Sequence, residues 1–297
     1  MIIANPIYDV VFKYLLEDIE IARELLSVIT SRNIVELSLK PQETAAETNI
    51  GEKTVRIYRL DFKAVVKEEN GTHTKILIEM QKSRRLSDVM RFRTYLGENY
   101  LREDEIINEE GEQESVPLPI ITIYFLGHNL EHIKLPVLKV NNCYYDPIRD
   151  EVVELEEKEP FIELLHHESY TIQIRRLKNE LATRLERVLM VFSQEFRLED
   201  QHKLKIPDEV NDPLTQRIIR RLSRAIGDEE VRKKMRLEDE MLRIYNREMK
   251  GLVDTVLEQG QEIEANKQLI KEKDQALEEK DQTIQELLER LKRLEEQ

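Results

Sequence analysis

Two acids sit where acids are costly. Asp61 lies in Arg59-Leu60-Asp61-Phe62-Lys63-Ala64-Val65-Val66, and Glu79 lies in Ile76-Leu77-Ile78-Glu79-Met80-Gln81. A carboxylate inside an apolar strand is expensive unless it is paired or binds metal. Asn70-Gly71 between the two runs signals a hairpin turn. A two-residue turn sets Phe62 opposite Glu79 and mixes polar with apolar on both faces. A three-residue loop, Glu69-Asn70-Gly71 with Gly71 as the left-handed residue, sorts them. Phe62 then faces Ile78 and Ala64 faces Ile76. On the other face Asp61 lies opposite Glu79, Arg59 opposite Gln81 and Lys63 opposite Leu77. A one-residue slip reverses every side chain, so the apolar match selects the three-residue loop, or another loop with an odd number of residues.

Directly paired strand residues have Cβ atoms about 4.5–5.5 Å apart, so two carboxylates there repel. A divalent cation between them removes that penalty. Mg²⁺ takes oxygen ligands, commonly one or two carboxylates with water and substrate phosphate. Such a site suits activation of water and stabilisation of charge on a phosphodiester. The alternative is an acid pair neutralised by Arg59, Lys63 or an arginine of the following helix.

The elements that must hold these residues are legible in outline. Asp9 to about Ile29 has helical apolar spacing behind Pro6, and Leu86 to Leu101 reads as a second helix. Thr54–Val66 and Lys75–Gln81 are the hairpin strands. Pro119–Leu126 (PIITIYFL) is a continuous apolar run of strand length, which predicts a buried central strand. A short strand is expected near Val137–Val140. Phe161 to Met249 reads as mostly helical, with Pro207 and Pro213 bounding a linker. The order helix-strand-strand-helix-strand predicts an α/β or α+β core.

The tail carries a heptad. Met249, Val256, Ile263, Ile270, Leu277, Ile284 and Leu291 recur every seven residues. Three positions further on stand Leu252, Gln259, Asn266, Lys273, Lys280, Leu287 and Leu294, polar in the middle and apolar at both ends. Lys-Asp-Gln repeats at 273–275 and 280–282. This predicts a coiled coil with a weak central seam and a homo-oligomer through residues 251–297. A fully helical tail of some 45 residues would be about 68 Å long. A single exposed helix is the alternative.

Net charge is -14, with 36% charged residues and 6% aromatic. At first sight this opposes nucleic acid as a partner. The acidity is local, however. Glu103–Glu114 holds seven acids and no base, Asp150–Glu159 holds six acids and Lys158, and 261–297 has a further excess of acids. Those segments account for all of it, and the first two read as loops. Gln81–Arg102 instead holds six bases against Asp88 and Glu98. Local potential, not the total, governs binding. One cysteine, Cys143, excludes a disulfide framework. Met1–Val10 lacks a signal-peptide pattern, and no run of about 18 apolar residues appears, so a cytoplasmic protein without a membrane span is expected. Eight glycines form no phosphate loop, and His128 and His132 lack the partners of a zinc motif. His166-His167 has no supporting residues. Arg217, Arg220, Arg221 and Arg224 form a helical stripe that either meets DNA phosphate or pairs with acids.

Taken in order, Asp9-x-x-Phe12-Lys13, Leu60-Asp61, Ile78-Glu79-Met80-Gln81 and Arg91-Phe92-Arg93-Thr94-Tyr95 resemble the PD-(D/E)XK nuclease superfamily. More narrowly they resemble its recombination-promoting nuclease, or nuclease-family putative transposase, group. The likeness covers roughly residues 1–130 and weakens to about 250. It implies a divalent-metal DNA endonuclease tied to recombination or mobile elements, with Mg²⁺ or Mn²⁺ held by Asp61 and Glu79. Gln81 stands where the superfamily has lysine, as is common in the group. Glutamine can hydrogen-bond a water but cannot deprotonate it, which leaves activation to the metal with help from Lys63. Asp9 either supplies the first helix's acid or caps that helix. Lys13, Arg84, Arg85, Arg91, Arg93 and Tyr95 are the expected DNA contacts, with simple exposure as the alternative for Lys13. The resulting expectation is a PD-(D/E)XK-like core, a central mixed sheet flanked by helices, over 1–180. A helical region follows over 181–250 and a coiled-coil tail over 251–297. The competing reading is an idle nuclease fold that works as an interaction protein.

Overall fold

Apolar alternation over the central hairpin decides the architecture. The computed structural model describes residues 1–50, 53–82, 86–108, 110–155, 158–178, 182–208 and 210–295, without the side chains of 40–61, 86–88, 91 and several along the last helix. The chain opens with β1 (Ile2–Ala4), α1 (Asp9–Leu16) and α2 (Ile19–Thr30). Then come β2 (Ile34–Ile50), β3 (Lys53–Glu68), β4 (His73–Gln81) and α3 (Leu86–Tyr100). β5 (Asp104–Ile107), β6 (Gln113–Val116), β7 (Ile120–Leu126) and β8 (Val137–Val140) follow. β9 (Tyr144–Asp146), β10 (Glu151–Val153), α4 (Pro160–Leu165) and β11 (His167–Gln173) lead to α5 (Arg184–Leu189) and β12 (Lys203–Lys205). The described chain ends with α6 (Pro213–Gly227) and α7 (Glu229–Glu295).

Six strands form one mixed sheet in the order β2-β3-β4-β7-β11-β8. β4, β7 and β11 are mutually parallel and central, which explains why β7 is apolar on both faces. The hairpin has the register expected from sequence. Phe62 faces Ile78, Lys63 faces Leu77 and Ala64 faces Ile76. Gly71 adopts φ 86°, its amide donates to Glu68 O at 2.9 Å, and Glu68 N–H donates to Thr72 O at 2.9 Å. That is a three-residue loop closed by a left-handed glycine.

One sheet face carries Phe62, Ala64, Ile76, Ile78, Ile121, Ile123 and Phe125 into the main core with α1, α2 and α6. Phe12 of α1 meets Phe125 at 5.0 Å between ring centroids and Phe62 and Phe192 at 6.0 Å. On the other face Leu77 and Ile120 pack against Phe92 and Tyr95 of α3. Contacts divide the chain into two units, Met1–Arg236 and Leu237–Gln297. Residues 181–236 thus share the first unit with the sheet: β12 pairs with β1, and α6 buries Leu214, Ile218, Ile219 and Leu222 in the main core.

Four sequence expectations are corrected. The first helix is two, because the Asp18 carboxylate accepts from Ile21 N at 3.2 Å and caps a fresh start at Ile19. The acidic run after Glu103 is the β5–β6 hairpin, not a loop. Its turn is built by Asn108, whose side chain accepts from Glu110 N and Glu112 N, and by Gly111 at φ 82°. The Asp150–Glu159 segment includes β10, which pairs with β9. β11 interrupts the supposed helical stretch: Glu168, Tyr170 and Ile172 are buried on alternate positions, a strand period hidden among charged neighbours.

Gly127 follows β7, and its amide donates to Gln81 O at 2.8 Å. A Cβ there would stand 2.7 Å from Lys82 O and 3.0 Å from Lys82 Cα, both backbone atoms that a side-chain rotation cannot relieve. Gly127→Ala should therefore destabilise the fold by about 1–3 kcal/mol, the usual cost of overpacking. Urea denaturation would read the loss, and an unchanged midpoint would show that the two strand ends separate freely.

Candidate functional site

Glu79 is 2% exposed near the end of β4 and lies beside Tyr124 of β7 in the parallel register. Tyr124 meets Phe92 edge-on at 4.7 Å between ring centroids. Burial pushes its phenol up to about 12, so it stays protonated at neutral pH and adds no second negative charge beside Glu79. Gln81 is half-buried beside Leu126, at the same end of the strand. Asp61 is on β3, paired through its backbone with Gln42 of β2, and its side chain lies outside the described residues. The hard oxygen donors of Glu79 and Gln81, with the second carboxylate at Asp61, suit Mg²⁺ or Mn²⁺ in chemistry. Among the described residues, no cluster of three or more histidines, cysteines or acids stands ready to hold a metal.

Lys63 is on the same face as Leu77 but is not available to help a water. Lys63 is 6% exposed, and its ammonium pairs with Asp104 of β5. Lys75, 1% exposed, reaches the second oxygen of Asp104 at 2.6 Å and donates to Asn99 O at 2.8 Å and Arg102 O at 3.3 Å. Burial pushes the Lys75 ammonium below the usual lysine range, while Asp104 opposes that shift. This two-lysine, one-aspartate cluster pins the acidic hairpin to the sheet. Sequence reasoning overlooked both Lys75 and Asp104. Lys75 stands out in hindsight, since it opens an apolar strand run on the face of Leu77 and Glu79.

Tyr95 is 4% exposed in the α3–sheet core, so its ring cannot stack on a ligand. The expectation of a DNA contact fails there because Phe92 and Tyr95, three apart, form the inner side of α3. Arg93 is exposed on that helix. Arg84 and Arg85, and the side chain of Arg91, lie outside the described residues. Asp9 is the first helical residue of α1, with Tyr8 in the cap position, so the capping alternative is corrected. The Asp9 charge instead sits in the first turn, where the helix dipole favours it. Lys13 is half-buried on α1 rather than exposed. Lys82 lies 3.5 Å from the Tyr8 ring centroid, tying the end of β4 to the start of α1 by a cation–π contact.

The arginine stripe of α6 divides. Arg217 pairs with Glu24 at 2.5 Å, and Arg221 donates to Tyr14 O at 2.7 Å and lies over the Tyr14 ring, with Asp18 at 3.7 Å. Arg220 and Arg224 are exposed. His132 is exposed beside Glu131, and His167 bonds Tyr100 Oη at 2.7 Å through Nδ1. An open depression of about 480 Å³ lies at the other end of the hairpin from Glu79, lined by Lys67, Asn70, His73 and Asn108 among others.

A second ion network holds the far edge of the sheet. Glu168 of β11 is 5% exposed and is met by Arg32 at 3.0 Å, Lys158 at 3.0 Å and Lys139 at 3.2 Å. Burial alone would raise its carboxyl, but Lys158, Arg32 and Lys139 outweigh it and hold the group below the usual glutamate range. A depressed folded value gives stability that is complete above the ordinary value of about 4.3 and is lost as pH falls through the folded value. Glu168→Gln should therefore flatten the acid limb of a stability–pH profile. An unaltered acid limb would remove Glu168 from the account.

No protein-family model, curated protein or solved structure matches the chain. The fold itself defines the class: an α/β protein with a six-stranded mixed sheet flanked by helices. Among the described residues, no helix is long and apolar enough to cross a membrane.

Proposed function

We propose that the chain is a divalent-metal-dependent DNA endonuclease of the PD-(D/E)XK kind, cytoplasmic, linked to recombination or mobile DNA, and assembled as a homo-oligomer through a coiled coil over 251–297. The observation that carries the reading is the hairpin register. The paired stretch of β3 and β4 ends at Phe62 and Ile78, and one further step in the same register would set Asp61 opposite the buried Glu79. In a strand pair such an arrangement is unstable without a cation or cationic partner.

In this reading Asp61 and Glu79 hold Mg²⁺ or Mn²⁺, which supplies charge stabilisation and water activation when bound. Gln81, at the same end of β4, orients the attacking water by hydrogen bonding and carries no proton function. Phe62 and Ile78, anchored in the main core, fix the strands from behind. Exposed Arg93 draws the phosphate backbone toward α3. One finding favours the non-catalytic alternative: Lys63 is engaged by Asp104, so it offers no ammonium to a water beside Gln81. Incubating the full chain with supercoiled plasmid and Mg²⁺ or Mn²⁺ separates the two readings.

A further inference from the structure

The last helix, α7, of 67 residues, leaves the described part of its heptad row uncovered. Ile263, Ile270, Leu277 and Ile284 are 54–58% exposed, each seven residues from the next. Three positions on, Gln259, Asn266, Lys273 and Lys280 share the same side of the helix and are exposed too. Each of those lysines is followed by an aspartate, Asp274 and Asp281. A single apolar row alternating with amides and ammoniums is a poor surface for an arbitrary apolar partner. It is selective about what it meets.

We infer that this stripe is covered by a second copy of the chain running parallel and in register, with Lys273 and Lys280 reaching Asp274 and Asp281 of the partner subunit. The inference rests on the self-association proposed above and adds its orientation and its charge pairing. Two geometries compete. In an antiparallel pair the apolar row faces the partner's polar row, so every isoleucine over the centre would meet glutamine, asparagine or lysine. In a parallel pair like faces like. Isoleucine then packs on isoleucine, and β-branched residues at this position favour two strands. Gln259 and Asn266 meet their own copies and can exchange amide hydrogen bonds, which fixes register.

The lysine layers decide the matter further. Lysine against lysine repels, but a residue in this row packs into a hole whose wall includes the partner's next residue. That residue is aspartate in both layers, so the Lys-Asp repeat answers its own repulsion only in a parallel, in-register pair. The lysine stems meanwhile cover apolar seam. At the heptad's outer positions Glu262 lies five residues before Lys267, the spacing at which parallel chains form interchain pairs, and here the charges are opposite. Two cutting centres carried on parallel tails would belong to one dimer.

Two variants of the full chain test this. Lys273→Asp/Lys280→Asp makes the layers wholly acidic, and Asp274→Lys/Asp281→Lys makes them wholly basic. Light scattering should give a dimer for the unaltered chain, at least tenfold weaker dimerisation for each variant alone, and recovery on mixing the two. Circular dichroism of each checks that the helix persists. Orientation is read separately with Ile284→Cys in a Cys143→Ser background under a glutathione redox buffer. A disulfide between the two copies of position 284 needs parallel chains, since an antiparallel pairing of the tails puts these positions far apart. A dimer insensitive to both charge variants, or one that never links through position 284, overturns the inference while leaving self-association intact. A monomeric unaltered chain overturns both.

Discussion

Asp104→Ala should destabilise the first unit by about 3–5 kcal/mol, the cost of stripping one partner from a buried ion cluster. The reason lies in what remains. Lys63 and Lys75 are 6% and 1% exposed, and both direct their ammoniums at the same carboxylate. Without it two like charges share a water-poor site beneath α3. Lys75 keeps the Asn99 and Arg102 carbonyls, but Lys63 loses its recorded ion partner. Asp104→Asn should lie between the two, since an amide can still accept from one ammonium. Urea denaturation measures both. A loss below about 1 kcal/mol would be the value of an exposed pair and would mean that water reaches the cluster. The double change Lys63→Met/Asp104→Leu should cost less than Asp104→Ala alone, because apolar replacement of both partners leaves fewer uncompensated charges.

Glu79→Gln should reduce metal-dependent DNA cleavage by roughly a thousandfold or more, an effect of about 4 kcal/mol on the barrier. The substitution keeps the volume, removes the charge and turns one acceptor oxygen into a donor amide. At a site 2% exposed and set among β-strands, this neutral residue should leave the fold as stable as before, or more so, because burying a charge is itself costly. A gain in stability with loss of activity is the signature of a group held for chemistry. A loss of stability with cleavage intact would mark Glu79 as a structural ion partner and nothing more. Gln81→Ala should have a smaller effect, because the glutamine orients water and does not carry its proton.

The central hairpin was legible because local rules agreed. Apolar alternation, the Asn70-Gly71 pair and the need for a positive-φ residue all selected one register, and Gly71 adopts it. β7 was equally clear, since an unbroken PIITIYFL run has no polar face to offer water. The β5–β6 hairpin was not, because its anchor, Asp104, is neutralised by lysines of two other strands. Nothing within the acidic run announces them. β11 failed for a similar reason: Glu168 breaks the apolar pattern, yet it is buried because Arg32, Lys139 and Lys158 converge on it. Tyr95 shows the opposite error. A tyrosine amid arginines reads as a ligand contact, but its spacing from Phe92 was the better guide. Of the candidate site, sequence placed Glu79 on the strand that carries it. It could not show that Lys63 pairs with Asp104, because that partner lies far along the chain.

The most direct test of the central claim is cleavage of supercoiled plasmid by the purified full chain in Mg²⁺ or Mn²⁺, beside Asp61→Ala, Glu79→Ala and an EDTA control. The account predicts nicked or linear product from the unaltered chain alone, and none from either variant or with EDTA. Cleavage that survives in both alanine variants, or an unaltered chain inert with both metals, would contradict it.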